Sequence, residues 1–190
     1  TVELERVAGQ FLEASGMADP EEASSAFRRG EQPACREVPP EDEGAFLAEY
    51  ISDACRQLRV RRGSAAVLVS SIKYGRNLAK NIRAAGLRAM FAGSKEVSLE
   101  SDAVQVMTVH TAKGLEFPVV VLAGVSSEAF PSAVRYQPQD DADREEYELQ
   151  EQRLFYVAIT RAMRTLLVTY PADAPSDFLI GLDTDLWDWN

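Results

Sequence analysis

The stretch AAVLVS at 65–70 most constrains the fold, because it is a short apolar run with no polar alternation. A strand that shows no polar face is covered on both faces, which is the condition of a parallel strand sandwiched between helices. LRAMFA (87–92), residues 104–109, residues 117–123 and TLLVTY (165–170) read as further short strands. Helical periods lie between and before them. Val2, Leu4, Val7, Phe11, Leu12 and Ala14 share one face of a helix that ends near Gly16. Asp19 and Pro20 predict a second, short helix to about Arg28. A strand is predicted near 34–38, and helices over 41–59 and over KYGRNLAKNIRAAG (73–86). A long helix is expected over 141–162, with Tyr147, Leu154, Phe155, Ala158 and Ala162 on one side. The tail after 170 contains a candidate short helix at SDFLIG. Strand–helix alternation predicts an α/β domain with a mostly parallel β-sheet flanked by helices.

With 190 residues the chain is long enough for one domain with a real core. No run approaches the ~20 apolar residues that cross a bilayer, so no membrane contact is expected. Cys35 and Cys55 have no metal-ligand spacing, and with His110 as the lone histidine no metal site is expected. Free thiols point to a reducing compartment, which makes the cytoplasm the expected location. Opening on Thr1 rather than Met, the sequence is expected to be a segment of a longer polypeptide or a processed chain.

The net charge of −10 argues mildly against nucleic acid, but the charges are unevenly spread. Residues 56–95 hold ten Lys/Arg and no Asp/Glu. Within that block Arg76 and Lys80 lie on one predicted helix. Such a block is either a focused basic surface that attracts phosphate or a solvated helix face.

Two polar clusters stand out against the apolar pattern. TVHTAKGLEF (108–117) leaves one strand and enters the next, and it carries Thr108, His110, Lys113, Gly114 and Glu116. Ligands gather at the carboxyl ends of parallel strands, and the segment is expected there. Taken singly, His110 reads as a packed side chain and Lys113 as a surface cation. Gly114 suits a positive φ or a close backbone approach. The second cluster is EQRLFYVAITRA (151–162), with Thr160 and Arg161 at the end of a helix. An arginine there either complements the helix dipole or projects into a site.

Together the two segments resemble motifs V and VI of the UvrD/Rep/PcrA-type superfamily 1 DNA helicases, in the family's order and approximate spacing. The resemblance covers residues 34–170 and, more weakly, 1–33, leaving 171–190 as a tail. It implies the C-terminal, second RecA-like domain of an ATP-dependent DNA helicase or translocase, working 3′ to 5′ in a DNA-repair setting. ATP with Mg²⁺ would lie between this domain and the first RecA-like domain of the same polypeptide. The resemblance makes Arg161 the arginine finger and Glu116 the acceptor of a ribose hydroxyl, with Gly114 near the nucleotide. It gives Thr108 and His110 contacts with single-stranded DNA; Lys113, also placed on the DNA side, and Gly114 are expected to shape the turn and approach phosphate, and the basic block adds Arg76 and Lys80 as DNA contacts. Arg153 is expected to brace motif VI by pairing with an acid.

The chain also departs from the family. It contains no G-x-x-x-x-G-K-[ST] phosphate loop and no Asp-Glu pair closing a strand. Thr1 stands where the family's motif IV ends, so that motif's arginine is missing. VSS replaces a strand end that usually carries an arginine, and only FAGSKEVSLESDA fills the place of a large insertion before motif V. An isolated domain of this kind is expected to be inactive as an ATPase. The alternative from another class is a non-catalytic helicase-like module that serves as a protein-interaction or single-strand-binding scaffold.

Overall fold

A computed structural model describes residues 1–16, 30–93, 101–132, 139–180 and 182–189. The helix predicted over 19–28 lies outside the described residues, as does most of the short segment before motif V. The elements in order are α1 (Val2–Ala14), β1 (Ala34–Glu37), α2 (Glu43–Leu58), β2 (Ala65–Val69), α3 (Ile72–Ala84), β3 (Ala89–Phe91), β4 (Val104–Thr108), β5 (Phe117–Leu122), α4 (Asp141–Ile159), β6 (Ala162–Tyr170) and β7 (Asp188–Trp189). The strands form one seven-stranded sheet in the order β3-β4-β2-β5-β6-β1-β7. Every ladder within it is parallel.

The unalternated runs are buried on both faces, as parallel strands require. All of Ala65–Val69 is at 0% exposure. Ala66 and Leu68 point into one core with α1 and α4, whereas Ala65, Val67 and Val69 point into the other with α2 and α3. Phe155 of α4 is the hub of the first core. Its ring centroid lies 4.9 Å from Phe11 of α1, 5.9 Å from Phe130 and 5.8 Å from Phe178 in the tail. Helix starts follow local chemistry: Ser71 accepts the Tyr74 N–H at the head of α3, and Asp140 accepts the Asp143 N–H at the head of α4. Cys35 and Cys55 are free and buried, and burial pushes the Cys35 thiol up to about 12 against the opposing pull of Arg36.

Two boundaries differ from the sequence reading. The long helix ends at Ile159, and Ala162 opens β6 instead of lying on the helix. The cause is long-range: the Phe117 N–H takes the Arg161 carbonyl at 2.9 Å, which draws the chain into the sheet. The sheet also extends past Tyr170, because β7 in the tail pairs with β1. Arg36 fastens it through an ion pair with the Asp188 carboxylate, 2.5 Å apart, and Trp187 beside it is 1% exposed.

Phe155→Ala removes the side chain that joins α1, α4, the Phe130 turn and the tail. It should cost about 3–5 kcal/mol of stability. Urea denaturation of the 190-residue chain should show the midpoint falling without a change in slope. A loss below about 1 kcal/mol would show that the four-ring cluster is not the hub of this core.

Candidate functional site

β2 lies between β4 and β5, and all three run the same way. The chain leaving β4 at the carboxyl edge must therefore recross the sheet before it can enter β5. Thr108 sits opposite Val69, and Val119 opposite Ala65, so Phe117 begins beyond the far end of β2. At about 3.3 Å per residue the two edges are roughly 15–20 Å apart. TVHTAKGLEF thus spans both edges, and the expectation that it lies wholly at a carboxyl end is corrected.

The crossing is made by a run of turns. The Val109 N–H holds the Val69 carbonyl at 3.1 Å, and the Ala112 N–H takes the carbonyls of Thr108 and Val109 at 3.1 and 3.2 Å. Val109 and Ala112 are at 1% and 0% exposure, so this connection is part of the core. The Thr108 hydroxyl lies 3.0 Å from that of Thr111 and accepts the Thr111 N–H at 3.3 Å, capping the first turn. His110, Lys113 and Glu116 stay exposed. Gly114 has φ +82°, while a Cβ placed on it would meet nothing within 4 Å. Conformation, not space, demands glycine there.

At the amino edge the crossing meets the end of α4. Arg161 accepts from the Phe117 N–H through its carbonyl and donates to the Leu115 carbonyl through Nη1 at 3.3 Å. Glu116 lies between those two partners, so the pair of bonds brings Glu116 and Arg161 together. Arg161 Nε also donates to the Val157 carbonyl at 2.9 Å, and Nη2 to Thr160 Oγ1 at 3.1 Å. A guanidinium has five N–H groups. Three have partners among the described residues, which leaves one N–H on each terminal nitrogen. Arg161 therefore completes the helix end and still offers two donors. Met163, two residues on, is 49% exposed on the same edge.

The carboxyl edge carries a feature the sequence reading missed, a cleft of about 320 Å³ walled by Val38, Ser70, Tyr74, Ser126 and Pro171. Glu43, 4% exposed, lines it. Its carboxylate accepts from the Tyr74 hydroxyl and, at 2.7 Å, from the Thr169 hydroxyl. The Gly124 N–H donates to Thr169 Oγ1 at 3.1 Å. A Cβ on Gly124 would sit 2.4 Å from the Tyr74 hydroxyl, and φ there is +66°. Burial, then the Glu43 charge and hydrogen bond, push the Tyr74 hydroxyl far above the usual tyrosine range. In sequence Glu43 looks like an ordinary first-turn acid, and Thr169 is 126 positions away.

Arg76 and Lys80 are exposed on α3 in a stripe with Lys73 and Arg83, and the Arg76 guanidinium lies 5.7 Å from the Phe91 ring centroid. No hydrogen bond or ion pair among the described residues joins Arg76 or Lys80 to Thr108 or His110. Arg153 is exposed and shows no ion pair with an acid among the described residues, where the buried Glu151 carboxylate accepts the Ser132 N–H at 3.1 Å.

The family model for the UvrD-like helicase C-terminal domain matches residues 87–173, which run from β3 through β6. Over 87–173, just under half of its length, this chain is similar to the UvrD-like helicase C-terminal domain. It is 45% identical over 82 residues to DNA helicase II of Escherichia coli K12, covering 43% of this chain and 11% of that protein. It is 39% identical over 95 residues to the ATP-dependent DNA helicase PcrA of Staphylococcus epidermidis, covering 45% of this chain and 12% of that protein. The chain thus aligns with only about a tenth of each curated relative's length. The crystal structure of the C-terminal domain of a possible DNA helicase from Lactobacillus plantarum WCFS1 superposes with TM-score 0.72 at 19% identity, over 100% of this chain and 96% of that one, and so shares the fold. The matched UvrD-like segment contains both ends of the crossing and Arg161. Arg76, Lys80, Glu43 and Tyr74 lie upstream of it.

The raised Tyr74 pKa fixes the sign of a pH effect. The fold favours the un-ionised hydroxyl, so its contribution is complete below the ordinary tyrosine value of about 10 and declines as pH rises above it. Tyr74→Phe should lower stability at neutral pH and flatten the alkaline decline. Urea midpoints taken between about pH 8 and 11 measure this, and parallel curves for the two proteins would contradict a buried Tyr74–Glu43 pair.

Proposed function

We propose that the chain is the second motor domain of an ATP-dependent DNA helicase or translocase, moving 3′ to 5′ on single-stranded DNA. The observation that carries this reading is the pair of hydrogen bonds between Arg161 and the residues on either side of Glu116, which sets a cation and a carboxylate on one sheet edge. ATP fits that edge. Arg161 keeps one N–H on each terminal nitrogen to offer phosphate oxygens, and Glu116 is an exposed acceptor for a ribose hydroxyl. Gly114 lets the chain turn close to the nucleotide without a side chain. Mg²⁺ finds no such fit: among the described residues no cluster of three or more His, Cys, Asp or Glu could hold it. Its ligands, like the phosphate loop, belong to the first RecA-like domain, so this chain alone should not turn over ATP.

When bound, the nucleotide supplies the phosphoryl group that is transferred. Arg161 would stabilise the charge that develops on it, an effect worth ~10³–10⁵ in rate for an arginine finger. At the opposite edge His110 faces solvent on a turn capped by Thr108, and together with Lys113, exposed further along the crossing, it would meet the single strand. The α3 stripe containing Arg76 and Lys80 would add phosphate contacts.

In the full-length protein Arg161→Ala should cut DNA-stimulated kcat by at least ~10²-fold and, with its three hydrogen bonds lost, lower the melting temperature by a few degrees, while leaving the fold and DNA affinity nearly unchanged. Arg161→Lys should rescue poorly, because an ammonium lacks the planar fork. His110→Ala should instead weaken DNA coupling more than nucleotide binding. A stable Arg161→Ala protein with near-normal turnover would remove the finger and favour the non-catalytic scaffold.

Charge reversal at Arg76 and Lys80 should weaken single-strand binding and flatten the salt dependence. With about 0.7 in log–log slope per phosphate contact, the double change should remove roughly 1.4. An unaltered slope would mean that the stripe is only a solvated face.

A further inference from the structure

Thr160 has one hydroxyl and uses it on both sides. It lies 3.0 Å from the Tyr156 carbonyl and 3.0 Å from the Val157 carbonyl, and its one proton serves these two acceptors. It also accepts from Arg161 Nη2 at 3.1 Å. Back-bonding of a threonine to the carbonyls behind it is common at helix ends and by itself signals nothing. Here the same oxygen is one of three tethers on the guanidinium, with Val157 behind it and Leu115 across the gap to the crossing. Val157 receives both the Thr160 hydroxyl and Arg161 Nε, which ties the hydroxyl and the guanidinium to one point at the end of α4.

We propose that Thr160 is the positioning residue for Arg161: its hydroxyl fixes the guanidinium plane against the end of α4 so that the two unused N–H groups face out together. The proposal rests on the reading of Arg161 as the group that meets the transferring phosphoryl. An arginine side chain rotates about several bonds, and a cation that is not fixed beforehand must be ordered during the reaction. Removing one tether loosens the plane without removing the charge. The cost therefore falls on kcat, with little effect on nucleotide affinity.

The test uses the full-length protein and compares Thr160→Val, which keeps the shape and loses the hydroxyl, with Thr160→Ser, which keeps the hydroxyl. Thr160→Val should lower DNA-stimulated kcat about tenfold, the scale for losing a hydrogen bond to a charged group, with KM for ATP within about twofold and a melting temperature lowered by no more than a few degrees. Thr160→Ser should restore turnover. Added to Arg161→Ala, Thr160→Val should cost nothing further, because it acts through the arginine. Normal turnover in Thr160→Val beside an impaired Arg161→Ala overturns the positioning role and leaves the finger standing. Normal turnover in Arg161→Ala overturns the finger and the positioning role together. A lowered melting temperature with turnover lost equally in Thr160→Val and Thr160→Ser assigns Thr160 to helix termination alone and overturns the proposal.

Discussion

The parallel register of β2 between β4 and β5 is the constraint from which the rest of the arrangement follows. A parallel neighbour cannot be entered from the edge at which the last strand ended. The chain must return, and here it does so within the few residues between Thr108 and Phe117. So short a return cannot wander over the surface. Val109 and Ala112 sink into the core, the Val69 carbonyl holds its beginning, and Arg161 holds its end through a carbonyl and a guanidinium. One buried connection therefore exposes His110 at one edge of the sheet and Glu116 at the other.

The elements were legible where the physics is local. Ala65–Val69 reads as a doubly covered strand because every residue is apolar, and the cores on both faces bear that out. The fold class follows from such runs alternating with helical periods. Boundaries set by distant partners were not legible. Nothing near Ala162 announces that the Phe117 N–H will claim the carbonyl beside it, so helical periodicity carries on past its true end. β7 is two residues long and owes its place to Arg36, far back in the chain.

For the site, residue types were readable and their placement was not. The order of strands in the sheet is a long-range property, and only that order reveals that Thr108 and Glu116 stand on opposite edges. The Glu43–Tyr74–Thr169 network joins α2, α3 and β6, and no spacing in the sequence links them. For Arg161 the sequence offered a dipole complement or a projecting group. Its hydrogen bonds make these compatible, since three donors serve the helix end, Thr160 and the crossing while two remain.

On the proposed reading, nucleotide and single-stranded DNA would address opposite edges of the sheet, joined by one buried crossing. Amide hydrogen exchange on the full-length protein, with a non-hydrolysable ATP analogue or with single-stranded DNA added separately, tests it most directly. The nucleotide should slow exchange at 115–117 and 157–161, and DNA should slow it at 108–112. Protection of 115–117 by DNA with 108–112 unaffected, or protection of one and the same edge by both ligands, would contradict it.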